Sequence, residues 1–206
     1  MRHVATALIL AIQGALFCGA TIADTTAIDV RVISKGAKFI GTSMGGAEVV
    51  IRDASTKTIL ARGKTRGSTG DTEKIMTARA RHHDPVSTPD AGVFHAAIEL
   101  SEPRRVTVTA RGPLAQPQAE TTASVTQWVV PGRPLTGGDG VILELPGFVV
   151  DVLAPPAHIR LSQSNQSDEG LEVPLRANVC MMCGCPVTPG GLWDADAFDV
   201  MAIVYR

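Results

Sequence analysis

The chain has 206 residues, enough for one large domain or two small ones. Its 19 Lys+Arg against 20 Asp+Glu leave a net charge of -1, which gives no electrostatic case for nucleic acid or an acidic membrane surface, and 4% aromatic residues argue against base-stacking platforms. With 20 Gly and 13 Pro along the chain, turns must be frequent, which favours short strands over long helices.

The N-terminus reads MRHVATALILAIQGALFCGATIAD. Arg2 and His3 form a short polar start, Val4 to Ala23 is almost wholly apolar with Gln13 the one strongly polar residue, and Thr21-Ile22-Ala23 places small residues at −3 and −1 ahead of Asp24. This pattern predicts a secretory signal over 1–23, cleaved after Ala23, and export to the periplasm or the extracellular space with no membrane span left behind. An uncleaved anchor is the competing reading, since about 20 apolar residues span a bilayer, but Gln13-Gly14 weakens it. Phe17 stands where a lipobox before Cys18 would have a small residue. Cleavage removes Cys18 and leaves three cysteines, an odd number in an oxidising compartment.

Beyond the signal, β-branched and alternating runs recur in chain order. Ile28–Ile33, Ala47–Arg52, Thr58–Arg62, Val93–Leu100 and Arg105–Ala110 form a first group. Ala123–Val130, Val141–Leu145, Val149–Leu153, Ile159–Leu161, Leu171–Val179 and Phe198–Tyr205 form a second. Turn signals such as Asp53-Ala-Ser-Thr56 and Gly137-Gly-Asp-Gly140 separate them, and no window of 11 or more residues keeps a helical period. The fold expected is all-β: tandem antiparallel Ig-like or transthyretin-like β-sandwiches after the signal peptide. The first sandwich is expected over 27–112. The proline-rich segment 112–119 reads as a linker, and the second sandwich, over 120–206, carries the sulfur cluster and ends on a strand with no closing hairpin. The polar segment Lys64–Asp90, which contains His82-His83-Asp84, is too long for an ordinary connection and suggests a functional loop.

Two resemblances attach to these segments. AEVVIRDASTKTILARGKT, followed by a long loop and FHAAIELSEPRRVTVTARG, resembles the carboxypeptidase-regulatory or transthyretin-like β-sandwich. WVVPGRPLTGGDGVILELPGFVVDVLAPP and ANVCMMCGCPVTPGGLWDADAFDV resemble segments of uncharacterised exported bacterial proteins with a CMMCGCP motif. The first implies a fold; the second implies export and no particular activity.

Catalytic motifs are weak. Gly41-Thr-Ser43-Met-Gly45 matches a nucleophile elbow in letters, but a strand follows where a helix is required. Arg62-Gly-Lys-Thr65 lacks the first glycine of a phosphate loop, and Asp194, Asp196 and Asp199 match a calcium loop only loosely. His95 reads as a strand histidine, and His82-His83 would serve a metal only near the cysteines. No base, nucleophile and oxyanion donor gather at recognisable spacing, so the sequence leans against an enzyme.

The dense chemistry is VCMMCGCPVTPGG, with Cys180, Met181, Met182, Cys183 and Cys185 inside six residues. C-type haem needs a histidine where Gly184 stands, and an iron–sulfur cluster needs a fourth ligand. Thiolates with thioethers are soft donors that select copper(I), so Cys180, Cys183 and Cys185 are candidate metal ligands with Met181 or Met182 as auxiliary. Extended backbone points the two methionines to opposite faces, so at most one joins such a site. Trp193 is a candidate cover. The leading expectation is a non-enzymatic exported protein that binds copper(I). The alternative is a structural or interaction module of the cell envelope with a Cys180–Cys183 disulfide, docking to another envelope protein.

Overall fold

The computed structural model describes residues 23–77, 84–158 and 173–205. The expected signal, the strand at Ile159–Leu161 and the pair His82-His83 lie outside those residues. Among the described residues nine strands follow one another: β1 (Asp24–Ser34), β2 (Glu48–Asp53), β3 (Ile59–Lys64), β4 (Phe94–Leu100), β5 (Arg104–Gly112), β6 (Thr121–Val129), β7 (Val141–Leu145), β8 (Phe148–Ala154) and β9 (Arg176–Met181). One short α-helix, α1 (Thr72–Met76), interrupts them. Its start is set by Asp71, whose Oδ1 accepts from Lys74 N at 2.7 Å.

The strands form a three-stranded sheet ordered β4-β1-β7, a four-stranded sheet ordered β3-β2-β5-β6 and a ribbon β8-β9. Alternation decides which side chains turn inward. Ile28, Val30 and Val32 of β1 meet Val49 and Ile51 of β2, Val106 and Val108 of β5 and Leu143 and Leu145 of β7 in one core. The all-β class holds, but the two halves do not build separate cores. β6 pairs with β5 along its length, Gly112↔Thr121 to Arg104↔Val129, and β7 pairs with β1. The segment expected as a linker is therefore a tight return, with a 3-10 turn at Pro117–Ala119, between neighbours of one sheet. Of the expected second sandwich, β6 and β7 complete the first, and only β8-β9 stands beyond it. Even the ribbon turns Val149 and Met182 into the same core.

Two further differences have physical reasons. β1 pairs parallel with β7, although antiparallel pairing was expected throughout. Parallel partners need a long crossover, and here the whole second sheet supplies it. Phe198–Tyr205 has strand propensity but forms no strand. Phe198 packs edge-on against Phe148 with ring centroids 5.2 Å apart, after which Val200, Met201, Ile203, Val204 and Tyr205 are all exposed. A strand without a hydrogen-bonded neighbour is not stable on propensity alone.

The long segment from Lys64 to Asp90 is anchored on both sides of the undescribed residues. Ile75 of α1 is buried with Phe39 and Ala91 in a satellite cluster. Asp139, in the Gly137–Gly140 turn, accepts from Val86 N at 2.9 Å and Ser87 N at 2.8 Å. Burial pushes the Asp139 carboxyl up, but those bonds and Arg31 outweigh it and hold it below the usual carboxylate range.

Candidate functional site

The sulfur-rich bend is a three-residue hairpin at the end of β9. Met181 N donates to Cys185 O at 2.9 Å, Gly184 N donates to Met181 O at 2.8 Å, and Cys180 bridges to Pro186. Gly184 has φ +80°, the left-handed geometry that a three-residue hairpin requires after its turn. The chain then folds again at Thr188–Asp194, where Asp194 Oδ1 accepts from Gly190 N and Asp196 N at 2.9 and 3.2 Å. The acidic run Asp194–Asp199 thus begins with a turn cap.

The hairpin sorts the sulfur onto two sides. Met181 and Cys183 are buried with Ala37 in a small cluster, and Cys185, Val187 and Trp193 pack against it. Met182 is buried in the main core, and Cys180, on the same face of the chain, packs against that core. The opposed methionines follow from strand alternation. The Cys183 and Cys185 sulfurs lie at disulfide distance, with Cα atoms 5.4 Å apart, and Cys180 is free. This corrects the expected Cys180–Cys183 pairing. Cys180 still belongs to the strand and faces the core with Met182, whereas Cys183 and Cys185 stand on the opposite side of the bend. The same placement separates Cys180 from the other two expected metal ligands. Met181, not Met182, accompanies Cys183 and Cys185.

Cys180 sits opposite Val149 in the ribbon, two residues before Asp151. Burial, and then the Asp151 carboxylate, push its thiol pKa up. A thiol held protonated is a poor nucleophile and a poor ligand at neutral pH. Trp193 covers the smaller cluster, and its indole Nε1 donates to Gly36 O at 3.0 Å, tying the bend to the loop after β1.

One sulfur neighbour escaped sequence reasoning. Met44, in the 3-10 turn Thr42–Met44, lies so close beneath Gly184 that a Cβ there would fall 2.8 Å from Met44 Sδ. The stretch with nucleophile-elbow spelling is thus the platform under the bend, and it leads into β2 with no long helix. Nothing local in the sequence linked Met44 to Gly184; the two meet only through the fold.

Among the described residues, no group of three or more His, Cys, Asp or Glu side chains converges as a metal site. No described helix is long and apolar enough to cross a membrane. Comparison with protein-family models, curated proteins and solved structures finds no match for this chain.

Proposed function

We propose that this chain is an exported, non-enzymatic β-sandwich protein whose Met181–Cys185 bend takes a soft metal ion, copper(I) before others, when its thiols are reduced. The observation that carries the reading is the convergence of the Cys183 and Cys185 sulfurs inside a small apolar cluster that also holds Met181. Two sulfurs close enough to bond are also close enough to share one ion, and a thioether beside two thiolates is a soft donor set. Export rests on the signal-like sequence 1–23, and a transthyretin-like kinship rests on the β2–β5 segments.

The second reading is a structural or interaction module of the envelope with Cys183–Cys185 oxidised, and the bonding distance between those sulfurs favours it. Such a bridge closes so short a loop that it restrains the unfolded chain by only about 1.6 kcal/mol on the chain-entropy relation. That is a small gain for a motif so rich in sulfur, which is why the metal reading leads. The metal would occupy the reduced bend, and oxidation would exclude it.

The two readings separate in one experiment. Reduced protein, handled without oxygen, is titrated with copper(I) against a competing chelator. Binding of about one copper per chain, lost in Cys183→Ser/Cys185→Ser and kept in Cys180→Ser, is the expected result. Equal binding by reduced wild type and the double variant overturns the metal site. No copper uptake, with one titratable thiol in unreduced denatured protein, leaves the disulfide module.

A further inference from the structure

A second site lies at the open corner of the sandwich, where the outer strands of the two main sheets meet. β3 is the edge of the four-stranded sheet and β4 the edge of the three-stranded sheet. Just past β3 they are stitched together, since Arg66 N donates to Val93 O and Val93 N to Arg66 O, both at 3.0 Å. Beside this stitch opens a groove of about 680 Å³. Gly63 shapes its floor. A Cβ there would fall 2.2 Å from the Phe94 ring, so only glycine lets that ring lie against the β3 backbone. Val93 and Leu114 continue the apolar floor.

The rim is cationic. Arg62, Lys64, Arg66 and Arg111 line the groove against a single carboxylate, Glu48. Glu48 is already engaged: Arg62 Nε donates to it at 2.9 Å and Arg111 Nη2 at 3.3 Å, and the Arg62 hydrogen bond holds its carboxyl below the usual range. Arg111 also pairs with Glu120. His95, at the same opening, is 2.7 Å from Asp29. Lys64 and Arg66 are exposed and meet no carboxylate among the described residues. A chain with a net charge of -1 thus concentrates positive charge at one apolar-floored groove.

We propose that this groove binds an acidic oligosaccharide, its carboxylates meeting Lys64 and Arg66 and the C–H face of a sugar ring lying on the Phe94 floor. An open trough suits an extended ligand better than a small molecule that must be enclosed. At the stitch itself recognition comes from side chains, because the backbone groups of Arg66 and Val93 are bonded to each other. An acidic peptide adding as a strand would find those groups taken. Lys and Arg supply charge, the apolar floor supplies ring contact, and a uronic acid carries both complements.

The test is calorimetric titration of the full chain with tetragalacturonate at low salt. Maltotetraose, poly-glutamate and inorganic phosphate serve as comparison probes. Wild type binds the tetrauronate, neutral maltotetraose does not bind, and Lys64→Ala/Arg66→Ala weakens the complex about tenfold at an unchanged thermal midpoint. Equal affinity in wild type and the double variant overturns the proposal. So does absence of tetrauronate binding by wild type. Poly-glutamate or phosphate binding as tightly per charge as the uronate overturns it too, because charge alone would then suffice.

Discussion

The sandwich of β1–β7 and the ribbon of β8-β9 are made from similar sequence, short β-branched runs between turns, yet they are held differently. In the sandwich every strand turns an apolar face into a shared core, and several turns are fastened by charged side chains. Asp53 shows the device: its Oδ1 accepts from Ser55 N, Ser55 Oγ and Thr56 N at 2.8, 2.6 and 2.9 Å, and its Oδ2 accepts from Arg104 at 2.9 Å. The ribbon buries Val149, Met181 and Met182 but leaves Val150, Val152 and Leu153 exposed. The ribbon thus leaves much of one apolar face bare, while the bend at its end is buried at Met181, Met182 and Cys183.

The contrast can be broken or sharpened by measurement. Leu145→Ala removes a side chain that is 0% exposed in the core, and should cost about 2–5 kcal/mol in chemical denaturation. Val152→Ala on β8, where the side chain is 70% exposed, should stay within about 0.5 kcal/mol. Similar costs at both positions would mean that the ribbon is as firmly packed as the sandwich.

Asp53→Asn should lower the thermal midpoint by roughly 3–8 °C at pH 7, through the lost turn and the Arg104 pair. The Ser55 hydroxyl, then Thr56 N and Arg104, hold the Asp53 carboxyl far below its ordinary value of 3.8. A depressed folded value means that its stabilisation is complete above the unfolded value and is lost as pH falls below it. Wild type should therefore lose stability progressively below about pH 4, and Asp53→Asn should show a shallower acid slope. Parallel acid curves would remove Asp53 from that role.

The smallest effect is chemical. With its thiol pKa raised by burial and Asp151, Cys180 should react with thiol reagents in native protein at pH 7 more slowly than in unfolded chain, and Asp151→Asn should modestly speed it. Equal rates in folded and unfolded protein would place Cys180 in solvent.

What could be read from the sequence was local. Alternation located β1 to β8 to within a few residues, and Asp53-Ala-Ser-Thr56 marked the β2–β3 turn, because strand pleat and turn chemistry are written in neighbouring residues. Partnership was not written there. Nothing around Thr121 says that its strand pairs with β5, and nothing around Val141 says that it lies parallel to β1. Phe198–Tyr205 carries strand letters and lacks a neighbour, so propensity misled. In the bend, residue types and spacing were plain, but the choice of Cys183 with Cys185 depended on strand phase up to Met181 and on the left-handed Gly184. Met44 and the groove beside Gly63 were out of reach, since each needs two segments brought together.

The parallel seam of β1 and β7 has a bearing on how the chain is made. β1 is the first described strand, but its partner Val141–Leu145 is synthesised only after β2 to β6. Until that late segment emerges, β1 has only β4 beside it, and Val30 and Val32 lack one wall of their core. Folding dominated by such distant pairings is slow. Until β7 is made, that side of β1 is an unpaired strand edge, the kind of edge on which nascent chains mispair.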